Sequence, residues 1–243
     1  MLQNIINQSL WQYYSVKTME LKEILLETRK SEFPGSCYEH SVDDLPSDLP
    51  EDYITLLASC NGGYTYDDFF HFFGLIGPIQ HNIIEWNRNK LWKDFYHLDD
   101  SCFVFVEDMF GGQYFFKRGL RKNAIYMLVP DDGKEYFIAD YFENFLKDII
   151  ADSNAMYAEE KAMVKAFLAI PGKERRHFCH LSYKTPIILG GNQGDIANLE
   201  QLDSLVNLSI LGQLICALKN VKPGTSIKDV EIDYANKEVR LIF

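Results

Sequence analysis

The sequence lacks any apolar run long enough to cross a bilayer, which takes about 18 or more consecutive apolar residues. Its first residues, Met-Leu-Gln-Asn-Ile-Ile-Asn-Gln, also lack the basic start and the long apolar segment of a signal peptide. We therefore expect a cytoplasmic protein that has no membrane partner.

Cysteine is scarce. The five cysteines include no Cys-x-x-Cys pair, which argues against a disulfide framework and against a common zinc site. Cys60 and Cys102 fall within apolar patterns, so we expect them to be small core residues with reduced thiols. His177-Phe178-Cys179-His180 fits no common zinc spacing, and the preceding Arg175-Arg176 would repel a cation. We expect a polar loop or an interface strand there, and no metal or cofactor.

Basic residues are absent between Lys30 and Arg88. Residues 1–155 carry 25 acidic against 13 basic residues, a difference of −12, whereas residues 156–243 carry 10 against 11, a difference of +1. Such a negative field repels nucleic acid phosphates, so we expect no nucleic acid partner. The alternative is that the charge serves solubility alone. The basic-free stretch contains these acidic residues: Glu32, Glu39, Asp43, Asp44, Asp48, Glu51, Asp52, Asp67, Asp68 and Glu85.

Catalytic signatures are missing as well. The Gly-rich segment 190–195 has neither the Lys-Ser/Thr of a P-loop nor the spacing of a dinucleotide site, and no Gly-x-Ser-x-Gly elbow occurs. Paired aspartates at 43–44, 67–68, 99–100 and 131–132 could hold a hard cation, but their settings are typical of turns. We predict that the protein is not an enzyme. A metal-dependent hydrolase using these pairs, or His177 and His180, is the remaining catalytic alternative.

Apolar and aromatic residues, in contrast, are abundant, at 47% and 14% of 243 residues. This composition supports a packed core and excludes disorder as the default state. The length suits one large domain or two small ones.

Residues 49–63 carry the clearest local signal in the chain. Pro50 suits the first helical position, and the acidic pair Glu51-Asp52 follows where the helix dipole favours carboxylates. Apolar residues at helical spacing predict one buried face, and Asn61-Gly62-Gly63 predicts the end of the helix. The residues of the predicted buried face are Tyr53, Leu56, Leu57 and Cys60.

The segments that follow predict a mixed architecture. The aromatic run 67–75 predicts a buried strand, and 79–96 a helix. Four strand candidates, 102–107, 112–117, 124–129 and 135–138, are separated by turn residues and predict an antiparallel meander. Helical periodicity then returns over 140–150, with Asp140 as the expected cap. One or two helices are also expected within the first thirty residues.

Four blocks of this order resemble the SUKH superfamily, which contains bacterial toxin-immunity proteins and relatives of a yeast cell-wall regulator. The resemblance covers roughly residues 45–152. It implies an α+β fold with a mainly antiparallel sheet, and we predict a SUKH-like domain over residues 1–152. The blocks are Leu49–Gly63, Phe73–Leu75, Phe105–Gly111 and Ile138–Leu146.

Beyond residue 152 the composition changes, and we predict a smaller α+β extension over residues 153–243. Helices are expected at 158–169 and 202–218, and a strand at 185–189 that enters a Gly turn. Residues 230–234 and 239–243 alternate around Asn236, which predicts a terminal hairpin.

The resemblance implies a bacterial immunity protein that binds and neutralises a cognate protein toxin, such as a nuclease, without catalysis. Tyrosines among carboxylates would suit a basic partner, because Tyr anchors interfaces while charge sets the encounter rate. The alternative is a non-catalytic scaffold or adaptor, and the oligomeric state stays open. The predicted partner-binding residues are Asp43, Asp44, Asp48, Glu51, Asp52, Tyr64, Tyr66, Asp67 and Asp68.

Overall fold

A seven-stranded antiparallel sheet lies at the centre of the computed structural model, in the order β1-β3-β4-β6-β7-β8-β9. Residues 25–27, 37–65, 67–88, 90–118, 124–151, 156–219, 221–222, 224–233 and 238–242 are described. The helices expected within the first thirty residues lie outside these ranges. The strands of this sheet are β1 Leu25–Glu27, β3 Gly63–Thr65, β4 Phe70–Phe72, β6 Cys102–Asp108, β7 Gln113–Lys117, β8 Ile125–Val129 and β9 Lys134–Ala139.

The predicted meander is confirmed, because β6, β7, β8 and β9 pair successively and antiparallel. A small two-stranded sheet is formed by β2 (Tyr38–Glu39) and β5 (Ile76–Gly77). The described residues also form six α-helices, so the fold is α+β, as predicted.

Helix α1, Glu51–Ser59, matches the strongest sequence signal. Tyr53, on its buried face, packs against the rings of Phe105, Phe116 and Phe142 with centroids 5.2–5.4 Å apart. Gly62 then adopts a φ of +63°, where an added Cβ would lie 2.4 Å from the Phe72 carbonyl oxygen. Only glycine fits this turn. The placement of Pro50 is wrong by one residue, since it caps the helix and Glu51 is the first helical residue.

The single helix expected over 79–96 is wrong. The structure has two short helices, α2 (Ile83–Trp86) and α3 (Lys93–Tyr96). Asn87 ends α2 because its side chain bonds the backbone of β6, donating to the Val104 carbonyl at 2.7 Å and accepting from the Val104 amide at 2.8 Å. These bonds tie the chain to the sheet where a helix would otherwise continue.

Two further boundaries differ from the expectation. The strand expected over 67–75 is limited to β4, because Asp67 accepts a bond from the Phe69 amide and Asp68 takes a φ of +56°. Helix α4, Phe142–Asn144, is capped by Tyr141 where Asp140 was expected, and continues as a π-helix, Phe145–Ala151.

The segment after residue 155 contains α5 (Ala158–Leu168), β10 (Cys179–Tyr183), β11 (Leu199–Asp203) and α6 (Ser204–Leu218), followed by the predicted hairpin β12 (Asp229–Asp233) and β13 (Glu238–Ile242). The strand expected over 185–189 is wrong, because Ile187–Leu189 forms a 3-10 turn after Pro186. Strands β10 and β11 pair antiparallel.

This segment shares a core with the central sheet, to which it contributes Phe167, Leu181, Leu199 and Leu208. The boundary at residue 152 falls outside the described residues and stays a prediction. Among the described helices, none has the length and apolar character that a membrane span requires.

Candidate partner-binding surface

Exposed carboxylates gather around the amino terminus of α1. The 3-10 turn Val42–Asp44 packs against this helix. Asp44 accepts a hydrogen bond from the Ser41 amide at 2.8 Å, which holds the pKa of Asp44 below its usual range. Asp43 and Glu51 are exposed, and neither forms an ion pair with a described residue.

Asp52 and Glu143 extend this group. Asp52 is half-buried, and burial, followed by the charges of Glu143 and Glu51, raises its pKa. Carboxylates that raise one another's pKa lie close together. We call Asp43, Asp44, Glu51, Asp52 and Glu143 the acidic patch. Glu143, which α4 brings beside α1, is not among the partner-binding residues predicted from the sequence.

The other predicted acids lie in different settings. Asp48 forms an ion pair with Arg118 at 2.9 Å, so its charge is offset. Asp67 pairs with Lys161 of α5 and accepts a bond from Thr65 Oγ1 at 2.6 Å. Burial raises the pKa of Asp67, but these two partners outweigh it and hold the pKa below its usual value. Asp68 occupies the left-handed position of the same turn.

The expectation that Tyr64 is exposed is wrong, because its side chain is only 3% exposed. Its hydroxyl accepts a hydrogen bond from the Phe178 amide at 3.0 Å, and its ring stacks on His71 with centroids 4.5 Å apart. The guanidinium of Arg175 lies 5.3 Å from the ring centroid. Tyr64 therefore joins β3 to the segment before β10. Tyr66 lies outside the described residues.

Beneath these surfaces runs a buried polar network centred on Glu107, which sequence spacing did not reveal. Glu107 is 3% exposed, and its Oε1 lies 2.9 Å from His71 Nδ1. His71 Nε2 lies 2.8 Å from His81 Nδ1, and His81 Nε2 lies 2.8 Å from the Asn61 carbonyl oxygen. Burial lowers the pKa of His81 to about 3. Burial raises the carboxyl pKa of Glu107, but the electrostatic attraction and hydrogen bonds of His180 and His71 outweigh it and hold this pKa far below the usual range.

Each contact in this chain needs one hydrogen. The Asn61 carbonyl only accepts, so His81 Nε2 carries a hydrogen, and one more lies in each of the other two contacts. Burial also lowers the pKa of His71, although its bond to Glu107 opposes that shift. Hydrogen bonds from its neighbours are what allow the carboxylate of Glu107 to be buried.

The second oxygen of Glu107 connects the sheet to the following segment. His180 Nε2 of β10 and Gln113 Nε2 of β7 both lie 3.1 Å from Glu107 Oε2. The Asn207 amide of α6 lies 3.1 Å from His180 Nδ1. Of the segment 177–180, for which a polar loop or an interface strand was expected, His177 and Phe178 form a turn and Cys179 and His180 begin β10. This network is structural, since each of its histidines and Glu107 is buried and hydrogen-bonded.

The described residues give no support to a metal site or to a nucleophilic thiol. Within the described part of the chain, no three His, Cys, Asp or Glu side chains are arranged to hold a metal ion. Burial raises the pKa of the Cys102 and Cys179 thiols, which disfavours the nucleophilic thiolate.

Comparison with known proteins gives a family match over part of the chain and a similar solved structure. No curated protein matches the chain significantly. A similar solved structure is the crystal structure of Atu4351 from Agrobacterium tumefaciens, with a TM-score of 0.53 and 17% identity, over 85% of this chain and 94% of that chain. This likeness shows the fold alone. Residues 43–148, somewhat less than half of the chain, match the model of the SMI1/KNR4 family (SUKH-1).

Proposed function

We propose that the protein is a bacterial immunity protein that binds a cognate protein toxin in the cytoplasm and neutralises it without catalysis. The observation that carries the proposal is the family match over residues 43–148, which contains the whole acidic patch. Because a fold does not by itself fix function, the chemistry that faces the partner must come from exposed side chains.

The acidic patch supports a basic partner. Asp43 and Glu51 have no counter-ion among the described residues, so their charges stay available to a partner. Asp44 and Asp52 are held by backbone amides of Ser41 and Tyr53, which reduces the freedom they lose on binding. On a nuclease, such carboxylates would occupy positions that phosphates take in the cleft. Asp48 contributes less, because Arg118 already offsets its charge.

The test is protection of growth. Cells producing the toxin domain encoded beside this gene would also produce either the wild-type chain or the variant Asp43→Lys/Glu51→Lys. We expect the wild type to protect and the variant to lose most of the protection, because reversed charges repel the basic surface.

The matched control is Asp94→Lys/Glu231→Lys, which makes the same charge change at two exposed positions outside the patch. It should protect like the wild type. Undiminished protection by Asp43→Lys/Glu51→Lys would refute the assignment of the patch. A wild-type chain that protects against no toxin encoded beside it would refute the function.

A further inference from the structure

A cavity of about 300 Å³ opens at the end of the sheet where the β6–β7 and β8–β9 turns meet α5 and β10. Of the described residues, no Lys, Arg or His lines it. Its wall combines four carboxylates with four aromatic rings. These are Asp108, Asp131, Asp132 and Glu160, with Phe69, Phe110, Tyr157 and Tyr183.

The aromatic rings of the wall are held in place by one another. The rings of Phe110 and Tyr183 are near-parallel, with centroids 6.1 Å apart and an interplanar angle of 21°. Those of Phe69 and Tyr157 lie 5.3 Å apart. The faces of such rings attract cations, and a planar guanidinium stacks on them.

Two of the four carboxylates are already satisfied. Asp108 accepts bonds from the Phe110 and Gly112 amides at 2.9 Å and from the Tyr114 hydroxyl at 3.2 Å. Asp132 accepts from Lys134 Nζ at 3.2 Å and from the Tyr136 hydroxyl at 2.9 Å. Asp108 is thus satisfied by uncharged donors, and Asp132 already has a cation.

Asp131 and Glu160 are different, because neither pairs with a cation among the described residues. Burial, with the charges of Asp132 and Asp108, raises the pKa of Asp131 to about 6. Burial and then the charges of Asp131 and Glu160 raise the pKa of Tyr183 to about 12. Both carboxylates thus act on the same ring, and a half-buried carboxylate without a cation in a cleft marks a candidate binding site.

We propose that this cavity receives an arginine side chain of the partner protein, whose guanidinium lies between the Asp131 and Glu160 carboxylates and against the Tyr183 ring. The inference rests on the proposed function, which supplies a protein partner. The cavity is at the lower end of the roughly 300–1,000 Å³ of small-molecule sites, which suits one side chain. A guanidinium matches both its charge and its flat aromatic walls.

The first experiment uses the purified full chain and a small probe. N-acetyl-arginine amide would be titrated while NMR follows the methyl group of Met127, which lines the cavity. We expect saturable shifts with the arginine probe and none with N-acetyl-citrulline amide, which has nearly the same shape without the charge. Equal responses to the two probes, or no response to either, would overturn the inference without requiring any variant to fold.

Variants then locate the site. Asp131→Asn and Glu160→Gln should each weaken binding of the arginine probe by about tenfold or more, whereas the neighbouring exposed Glu159→Gln should leave it unchanged. Unweakened binding by the first two would overturn the site.

The growth assay separates this inference from the proposed function. A folded Asp131→Asn/Glu160→Gln variant that loses both probe binding and protection supports the cavity as part of the toxin interface. The same variant with full protection would overturn the inference while the proposed function stands. If the wild-type chain protects against no toxin, the proposed function fails and the inferred partner fails with it, even where the probe binds.

Discussion

Carboxylates occupy two contrasting regions of this molecule, the network around Glu107 and the acidic patch. Glu107 is 3% exposed and lies within hydrogen-bond distance of His71, His180 and Gln113. Glu51 is exposed, with no ion pair to a described residue. A buried carboxylate needs hydrogen-bond donors from the protein, so it becomes part of the structure that holds the fold together. An exposed carboxylate without an ion pair keeps its charge available to a partner.

The largest effect should follow from breaking the network. Glu107→Gln keeps the side-chain size but removes the charge that faces three donors. Because the loss of one member of a buried pair costs about 3–5 kcal/mol, we expect the free energy of unfolding to fall by that amount. Urea denaturation measures it. Glu51→Gln is the matched change in the patch. Equal losses of unfolding free energy in the two variants would contradict the difference between the network and the patch.

A second test concerns the contact between His180 and the β6–β7 turn. Gly111 has a φ of +89°, and a Cβ there would lie 2.7 Å from His180 Nδ1. Gly172, with a φ of +80°, has nothing within 4 Å. Both alanine variants carry backbone strain of about 1–2 kcal/mol, but only Gly111→Ala also disturbs the network. We expect it to lose at least about 1 kcal/mol more in urea denaturation, and equal losses would show that this contact is loose.

The network should also make stability depend on pH. The folded pKa of His81, about 3, lies below the unfolded value of about 6.5, so only the unfolded chain takes up this proton between those values. Stability is therefore present above pH 6.5 and lost as pH falls, at up to about 1.4 kcal/mol per pH unit.

Unfolding measured at pH 6 and pH 5 checks this, because Glu107 is largely ionised in both states over that window. His81→Gln should flatten the dependence by about 1 kcal/mol per unit. The exposed His97→Asn, with an amide that tolerates the φ of +57°, should not. An unchanged slope in His81→Gln would show that His81 does not resist protonation.

The smallest effect on stability is expected in the patch. Asp43→Lys/Glu51→Lys changes two exposed side chains, and the helix dipole at Glu51 accounts for about 0.3–1 kcal/mol. We expect unfolding to shift by about 1 kcal/mol or less. A loss comparable to that of Glu107→Gln would mean that these residues support the fold.

Local signals in the sequence predicted much of the fold. Helix α1 has a proline, an acidic pair and a glycine end that agree, and the meander has short apolar runs separated by turns. The predictions that were wrong involve side chains that form hydrogen bonds to residues distant in sequence. Asn87 stops a helix by bonding Val104, and no local pattern records a partner 17 residues away.

The site was predicted less completely. The acids around α1 were found because they are close in sequence, but Glu143 is not. The histidines of the network come from β4, the segment before α2 and β10, so spacing cannot connect them. One signal was available. Glu107 and Asp108 end the apolar run of β6, and a charged residue in a buried strand needs a partner.

The most direct test of the central claim is the rate at which the chain associates with its partner, measured by stopped-flow at low and high salt. Under the proposed function, this partner is a toxin domain encoded beside the gene. If the acidic patch attracts a basic surface, the wild-type rate constant should fall steeply with salt, because ions screen exposed charges. Asp43→Lys/Glu51→Lys should associate about tenfold or more slowly at low salt, with a weaker salt dependence, while Asp94→Lys/Glu231→Lys matches the wild type. Equal rate constants for the wild type and the patch variant at both salt concentrations would contradict the account.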